Sequence, residues 1–267
     1  MSFRDEMKYL FDHWKEIEKS LTSNILLLLD YDGTLTPIVE RPELAVLSED
    51  MKDLIERVSN RYDIGIISGR SLADIKNLVK VEGIYYAGNH GFEVSGPNLK
   101  LAKPEAEQAK LSILKLCDEL KARLGHISGA IVENKGLTAS VHYRLVSAEK
   151  FKELSKIFEG IVGPYLESGA IKITQGKKVF EIRPNVDWDK GKAVLWIMDA
   201  IRLPENVLPI YVGDDRTDED AFLALKDRDG VTILVSERVR KSNAKYFLKD
   251  VGDVREFLER LLDLYRT

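Results

Sequence analysis

Residues 25–34 read ILLLLDYDGT, five apolar residues running straight into Asp30-Tyr31-Asp32-Gly33-Thr34. Apolarity at every position, rather than at alternate ones, is expected of a strand covered on both faces, as in a parallel sheet. Carboxylates just past such a strand stand where open α/β sheets bind ligands. Alternate residues of an extended segment share a face, so Asp30 and Asp32 are expected to point into one cleft with Tyr31 turned away. Gly33 permits the turn that follows. An isolated D-x-D-G reads equally well as a polar loop closed by an Asx turn, so the rest of the chain has to decide.

Four further apolar runs resemble the first: Tyr62–Ile67, Ile84–Ala87, Pro209–Val212 and Val231–Val235. Helical spacing separates them. After Ser48, a candidate N-cap, Met51, Leu54, Ile55 and Val58 recur on one face; Ser71 and Thr217 are candidate caps for two more helices. The order β-α-β-α predicts an α/β fold with a doubly wound parallel sheet. Residues 104–184 break the rhythm and read as α-β-β-α-β-β, a second, α+β domain inserted into a core of residues 1–103 and 185–267. Its helices are EAEQAKLSILKLCDELKARL and SAEKFKELSKIFEGI, and the segments ENKG at 133–136 and TQGK at 174–177 are expected hairpin turns. Arg4–Leu21, with apolar residues at Met7, Leu10, Phe11, Trp14 and Ile17, and the C-terminal VREFLERLLDLY both read as amphipathic helices packed on the core.

Composition narrows the function. The chain has 267 residues, with 40 Lys and Arg against 44 Asp and Glu, a net charge of −4. That balance offers no basic excess for a nucleic acid backbone. The single cysteine, Cys117, excludes disulfide frameworks and cysteine-cluster metal sites. Charges scattered through the first 24 residues argue against a secretory signal, and no apolar run is long enough to span a membrane, so a cytoplasmic location with no membrane partner is expected.

Chemistry gathers at the expected strand ends. Ile67 runs into Ser68-Gly69-Arg70, a hydroxyl beside small, flexible residues suited to a phosphate oxygen. Val212 runs into GDDRTDED at 213–220. Capping and the helix dipole explain Asp218 to Asp220, but not Asp214 and Asp215, which precede the cap. Two acidic clusters at one sheet edge repel unless a divalent cation lies between them, and a small all-oxygen site suits Mg²⁺. Lys190 opens an expected helix, where a cation opposes the dipole; a bound phosphate and an ionised aspartate would supply the reason for it.

The segments DYDGT, ISGR, DKGK and GDDRTDED, in that order, resemble the four motifs of the haloacid dehalogenase-type phosphohydrolases. Ala87–Gly91 (AGNHG), VENKGLTASVHYR, KVFEIRP and GDDRTDEDAF extend the resemblance to the trehalose-6-phosphate phosphatases over nearly the whole chain, with Tyr31 where many relatives have Phe. The resemblance implies a Rossmann-like core with a cap domain, acting as an Mg²⁺-dependent phosphatase of trehalose 6-phosphate in trehalose biosynthesis. It implies that Asp30 is the nucleophile and forms an aspartyl-phosphate, and that Asp32 is the acid and base. Asp30, Asp214 and the Asp32 carbonyl would ligate Mg²⁺, with Asp218 holding its waters. Ser68 and Lys190 would bind the phosphoryl group, with Gly69 and Arg70 beside them. Glu133, Lys135, Arg144, Lys177 and Glu181 would read the sugar, bordered by Asn89 and His90, and hinges at Glu93–Pro104 and Pro184–Asp187 would let the cap close. A charged hairpin face of this kind is otherwise simply solvated. His142 reads as a packed cap residue. The rival substrates are sucrose 6-phosphate and glucosyl- or mannosyl-3-phosphoglycerate; the rival class is a catalytically silent sugar-phosphate-binding subunit partnering a trehalose-phosphate synthase.

Overall fold

The computed structural model describes residues 7–21, 24–201, 203–204, 206–238 and 240–264. Two compact units divide the chain: residues 1–100 with 188–267, and residues 101–187.

The first unit opens with β1 (Lys8–Tyr9), a 3-10 turn (Leu10–His13) and α1 (Trp14–Ser20), followed by β2 (Ile25–Leu29), α2 (Glu49–Ser59), β3 (Asp63–Ile67), α3 (Leu72–Val79) and β4 (Tyr85–Gly88). A hairpin of β5 (Glu93–Gly96) and β6 (Leu99–Ala102) leads into the second unit: α4 (Pro104–Leu124), β7 (Ile131–Asn134), β8 (Ala139–His142), α5 (Ala148–Glu167), β9 (Ile171–Gly176) and β10 (Val179–Pro184). The chain then returns through α6 (Lys190–Ala200), β11 (Leu208–Gly213), α7 (Asp218–Lys226), β12 (Val231–Val235), β13 (Tyr246–Leu248) and α8 (Val251–Asp263).

Strand order in the first unit is β1-β13-β12-β11-β2-β3-β4-β5-β6. The strands from β1 to β4 in this order pair in parallel, and β5 runs antiparallel to β4. All five residues of β2 are buried, as their unbroken apolarity requires of a strand covered on both faces. From β2 the chain winds outward through β3 and β4 on one side and returns as β11, β12 and β13 on the other. The direction therefore reverses between β2 and β11, the place where open α/β sheets form a binding crevice. Helix α2 is capped by Ser48, whose side chain accepts from Met51 N–H, and α3 by Ser71, which accepts from Asp74 N–H.

Several expectations change at this level. The N-terminal segment is not one helix: Lys8 and Tyr9 pair with β13, and helix begins only at Trp14, while Arg4 to Glu6 lie outside the described residues. Segment 93–102, which falls within an expected hinge, extends the sheet as a hairpin whose turn carries Pro97 and a left-handed Asn98. Helix α5 continues past Ile161 to Glu167 with Pro164 inside it, because burial of Phe158, Ile161 and Val162 holds the segment despite the missing N–H. The second hairpin turn is centred on Lys177 and a left-handed Lys178, which leaves Thr174 and Gln175 within β9.

The second unit is a four-stranded antiparallel sheet, β7-β8-β10-β9. Ala139, Val141, Phe180, Ile182 and Ile171 alternate onto one face and pack with Ile113, Leu116, Cys117, Leu120, Leu154 and Phe158 of the two helices. The opposite face is mainly polar, with Ile131 and Val179 flanking His142 on it. Among the described residues no helix is long and apolar enough to cross a membrane.

Candidate active site

Register alone brings the chemistry together. Leu29 of β2 pairs with Val212 of β11 and with Ile66 of β3, and Ile67 pairs with Ala87 of β4. The residues that follow these strands, Asp214, Asp30, Ser68 and Asn89, thus emerge from four neighbouring carboxyl ends. The Asp30 N–H donates to Val212 O at 2.9 Å, which ties the first aspartate to the strand carrying the second cluster.

Around this edge the polypeptide turns tightly. Gly33 has φ +91°, and a Cβ on it would fall 2.2 Å from an Asp214 carboxylate oxygen, so glycine is needed both for the turn and for the approach of that side chain. Tyr31 is turned away as expected, and its hydroxyl donates to Ala45 O at 2.8 Å. The oxygen that a phenylalanine would lack thereby pins the loop between β2 and α2.

Lys190, the first residue of α6, is 2% exposed, and its Nζ donates to Asp30 Oδ1 at 2.6 Å and Asp218 Oδ1 at 2.7 Å. Burial works against its charge, but the two carboxylates outweigh burial and hold the ammonium well above its ordinary pKa. Asp218 is fully buried and accepts four hydrogen bonds: Oδ1 from Lys190 and from the Tyr211 hydroxyl at 2.7 Å, Oδ2 from the N–H groups of Asp214 and Asp215. It therefore does more than complement a helix dipole. The expected cap, Thr217, accepts no capping bond; Asp215 Oδ1 instead receives both the N–H and the hydroxyl of Thr217. Those bonds and Lys190 overcome burial and hold the Asp215 carboxyl low.

Oxygens of Asp30, Asp214 and Asp218 lie within 4.8 Å of one another. Burial, followed by the charges of Asp218, Asp214 and Asp215, pushes the Asp30 carboxyl up against the pull of Lys190. Three buried carboxylates sharing one lysine leave negative charge uncompensated, and an all-oxygen donor set of this kind fits a small divalent cation.

Asp32 lies outside that triad. Both of its carboxylate oxygens accept from Arg70, from Nε and from one terminal nitrogen at 2.8 Å each, and the guanidinium also donates to Asp74 and to Pro42 O. Arg70, expected beside the phosphoryl group, has its guanidinium on these three acceptors. Ser68 is buried, and its Oγ accepts from Arg70 N–H, which leaves its own hydroxyl hydrogen to donate. Asn89 and His90 both have positive φ, and their N–H groups donate to Arg70 O and Ser68 O. A Cβ on Gly69 would lie 2.6 Å from the His90 ring, so the imidazole packs directly on the 68–70 turn. The Asn89 amide is held by Glu93 Oε2.

In the second unit the polar sheet face carries Glu133, Lys135 and Glu181. Lys135 Nζ is 3.5 Å from both Glu181 oxygens and 3.9 Å from Glu133. His142, read from sequence as packing, joins them through a 2.9 Å contact between Nε2 and Glu133 Oε2. Burial raises the Glu133 pKa, but Lys135 and His142 more than offset it and hold the carboxyl below its usual value. Arg144 and Lys177 lie at the hairpin end of the sheet, where the guanidinium donates to Lys177 O. Tyr211 and His142 are the residues that sequence reading passed over. A tyrosine inside the otherwise aliphatic β11 was the visible sign of the first, and alternation in β8, which puts His142 on the same face as Ser140, was the sign of the second.

Carboxylates and a lysine gathered where the sheet reverses direction define the class: the fold is that of the haloacid dehalogenase-like hydrolases. A hydrolase so described from Bacteroides thetaiotaomicron superposes with a TM-score of 0.59 at 18% identity, over 89% of this chain and 99% of that one. The C-terminal domain of trehalose-6-phosphate phosphatase from C. albicans shares the fold more fully, with a TM-score of 0.82 at 22% identity, over 98% and 99%. Within that class the chain belongs to the trehalose-phosphatase family, whose sequence pattern it matches over residues 28–252, and it is a phosphatase. Trehalose-phosphate phosphatase B of Arabidopsis thaliana is 37% identical to it over 254 residues, 91% of this chain and 67% of the plant protein.

Proposed function

We propose that the protein hydrolyses trehalose 6-phosphate to trehalose and phosphate through an aspartyl-phosphate on Asp30, with Mg²⁺ bound. The observation that carries this reading is the buried Asp30–Lys190 pair beside Asp214 and Asp218, at the switch point of a chain that belongs to the trehalose-phosphatase family.

Lys190 fixes Asp30 through Oδ1 and so orients the carboxylate that attacks phosphorus. As the new O–P bond forms, the bond from phosphorus to the sugar oxygen breaks, and that oxygen takes a proton from Asp32. Ionised Asp32 then accepts a proton from the water that attacks the aspartyl-phosphate, which releases phosphate and restores Asp30. Arg70 occupies both Asp32 oxygens, so one of these bonds must open for Asp32 to reach the sugar oxygen. Lys190 and the Ser68 hydroxyl donate to the transferring phosphoryl oxygens. Asp30 and Asp214, with the Asp32 carbonyl, would hold Mg²⁺ beside Asp218, and the ion when bound supplies positive charge to the phosphoryl oxygens. The polar face carrying Glu133, Lys135 and Glu181, with Arg144 and Lys177, reads the sugar; its mixed donors and acceptors suit a neutral, hydroxyl-rich substrate.

Phosphate release with Mg²⁺ from trehalose 6-phosphate, sucrose 6-phosphate, glucosyl-3-phosphoglycerate and glucose 6-phosphate tests the substrate, with Asp30→Asn as the blank. Preference for the first, lost in the variant, is the expected result; preference for another sugar phosphate keeps the chemistry and overturns the substrate. Acid quenching during turnover of ³²P-labelled substrate should leave label on the wild-type protein and none on Asp30→Asn, and an unlabelled wild type would overturn the covalent step.

A further inference from the structure

Two carboxylates on the polar sheet face of the second unit are each held by a different neighbour. Register opposes Glu133 of β7 to Ser140 of β8 and Ser140 to Glu181 of β10, while His142, two residues along β8, stands opposite Ile131 and Val179. Directly opposed residues share a face, and diagonal ones lie within reach of long side chains. Glu133 and His142 are such a diagonal pair.

The Ser140 hydroxyl donates to Glu181 Oε1 at 3.0 Å, and His142 Nε2 lies 2.9 Å from Glu133 Oε2. Glu133, held below its usual pKa, is ionised and can only accept, so Nε2 carries the hydrogen. Lys135 Nζ is 3.5 Å from Glu181 and 3.9 Å from Glu133, longer than the roughly 2.7–2.9 Å of a closed charge-assisted bond. The short bond to Glu133 is therefore the one from the imidazole, and it keeps the carboxylate from closing on the ammonium. Glu133 remains within reach of a ligand, with 26% of its side chain exposed, against 21% for His142. Among the described residues both of its contacts fall on Oε2, so Oε1 is left for a ligand hydroxyl. Between Ile131 and Val179 an apolar side chain would pack at least as well, so packing does not account for a histidine here.

We propose that His142 is a positioning residue: its Nε2–H fixes one oxygen of Glu133 and so presents the other to a hydroxyl group of the sugar. The inference rests on the reading of Glu133 as a sugar contact, and it names the group that sets that contact. A carboxylate free to turn would close on Lys135, and the sugar would then have to open that pair before bonding to either member. Held by His142, Glu133 has given up that freedom before the ligand arrives. The imidazole acts through Glu133 and does not itself touch the sugar.

His142→Phe, His142→Leu, His142→Gln, Glu133→Ala and the double variant of Glu133→Ala with His142→Phe, all in the full chain, test this. Each is assayed on whichever sugar phosphate of the panel the wild type prefers and on p-nitrophenyl phosphate, whose leaving group carries no sugar hydroxyl, with a melting curve to show that it is folded. The two apolar variants keep the packing between Ile131 and Val179 and lose the donor; His142→Gln keeps an N–H at similar reach and loses the ring. His142→Phe and His142→Leu should lower kcat/KM on the sugar phosphate about tenfold more than on p-nitrophenyl phosphate, the equivalent of one net hydrogen bond, with the loss mainly in KM. His142→Gln should restore most of that loss, and in the Glu133→Ala background His142→Phe should cost nothing further. Apolar variants that keep the wild-type preference for the sugar phosphate overturn the inference alone. So does a His142→Gln enzyme no better than His142→Phe, or a His142→Phe loss as large without Glu133 as with it. A Glu133→Ala enzyme that keeps the wild-type preference, or a wild type that prefers no sugar phosphate over p-nitrophenyl phosphate, overturns the inference together with the reading on which it rests.

Discussion

Lys190 is stable in its place only because of its partners. A buried ammonium between two buried carboxylates is costly to assemble, and costlier still to break by removing one member, because the remaining charges stay buried. Lys190→Met should therefore abolish phosphatase activity and, in EDTA, lower unfolding free energy by about 3–5 kcal/mol, with a smaller loss when Mg²⁺ is added; urea unfolding curves under the two conditions measure both. Glu133 gives a second prediction. Its folded pKa is lowered, so the stability it contributes is present above the ordinary carboxylate range, near 4.3, and is lost as pH falls through the folded value. Glu133→Gln should accordingly flatten the fall in urea midpoint between about pH 5 and pH 2. At this scale the sequence revealed Asp30, Lys190 and Asp214 because each was out of place for its local context, a charge beside an apolar run or a cation at the wrong end of a helix. The partners of Arg70 were not legible, for the opposite reason. Which acceptors a guanidinium meets depends on where Asp74 and the Pro42 carbonyl arrive, and no local pattern encodes that.

Elements were legible in proportion to the apolar surface they bury. The β2 run is apolar at every position and the β12 run at all but Thr232, both fall where the sequence placed them, and the α-β-β-α-β-β order of residues 104–184 follows from a change of hydrophobic period. Short edge strands carry no such pattern. β1 is a lysine and a tyrosine, recruited to the sheet only because β13 offers it a free edge. Helix α4 illustrates the legible kind, with Ile113, Leu116, Cys117 and Leu120 on one buried stripe. Burial pushes the Cys117 thiol up to about 11. Ellman's reagent at pH 8 should therefore leave the native protein unmodified and titrate one thiol after unfolding in urea; rapid native labelling would contradict the placement of this helix.

At the scale of the whole molecule, the two units have separate apolar cores, one built on the parallel sheet and one formed entirely within residues 113–182. A segment with its own core can fold alone, so residues 101–187 expressed by themselves should melt cooperatively by circular dichroism, and a non-cooperative trace would show that their core is insufficient. Mg²⁺ should raise the melting temperature of the full chain, since a ligand held by the folded state alone stabilises by RT ln(1 + [L]/Kd), about 2.7 kcal/mol at a hundredfold excess over Kd. Asp214→Asn should abolish that shift while leaving the melt of the isolated segment irrelevant to it. The winding order was legible because alternating strands and helices admit few topologies; the outer strands were not, because they add length to the sheet without adding to its core.

The second unit is a single uninterrupted run of sequence, entered within β6 and left before α6. In the gene this corresponds to one contiguous block with two junctions, both outside the strands that carry Asp30, Ser68 and Asp214. One recombination event across those junctions can replace the whole second unit and leave Asp30, Ser68, Lys190 and Asp214 in their original codons. Descent can thus keep one unit while substituting the other, and two chains that share the outer segments can have inherited their middle from different ancestors.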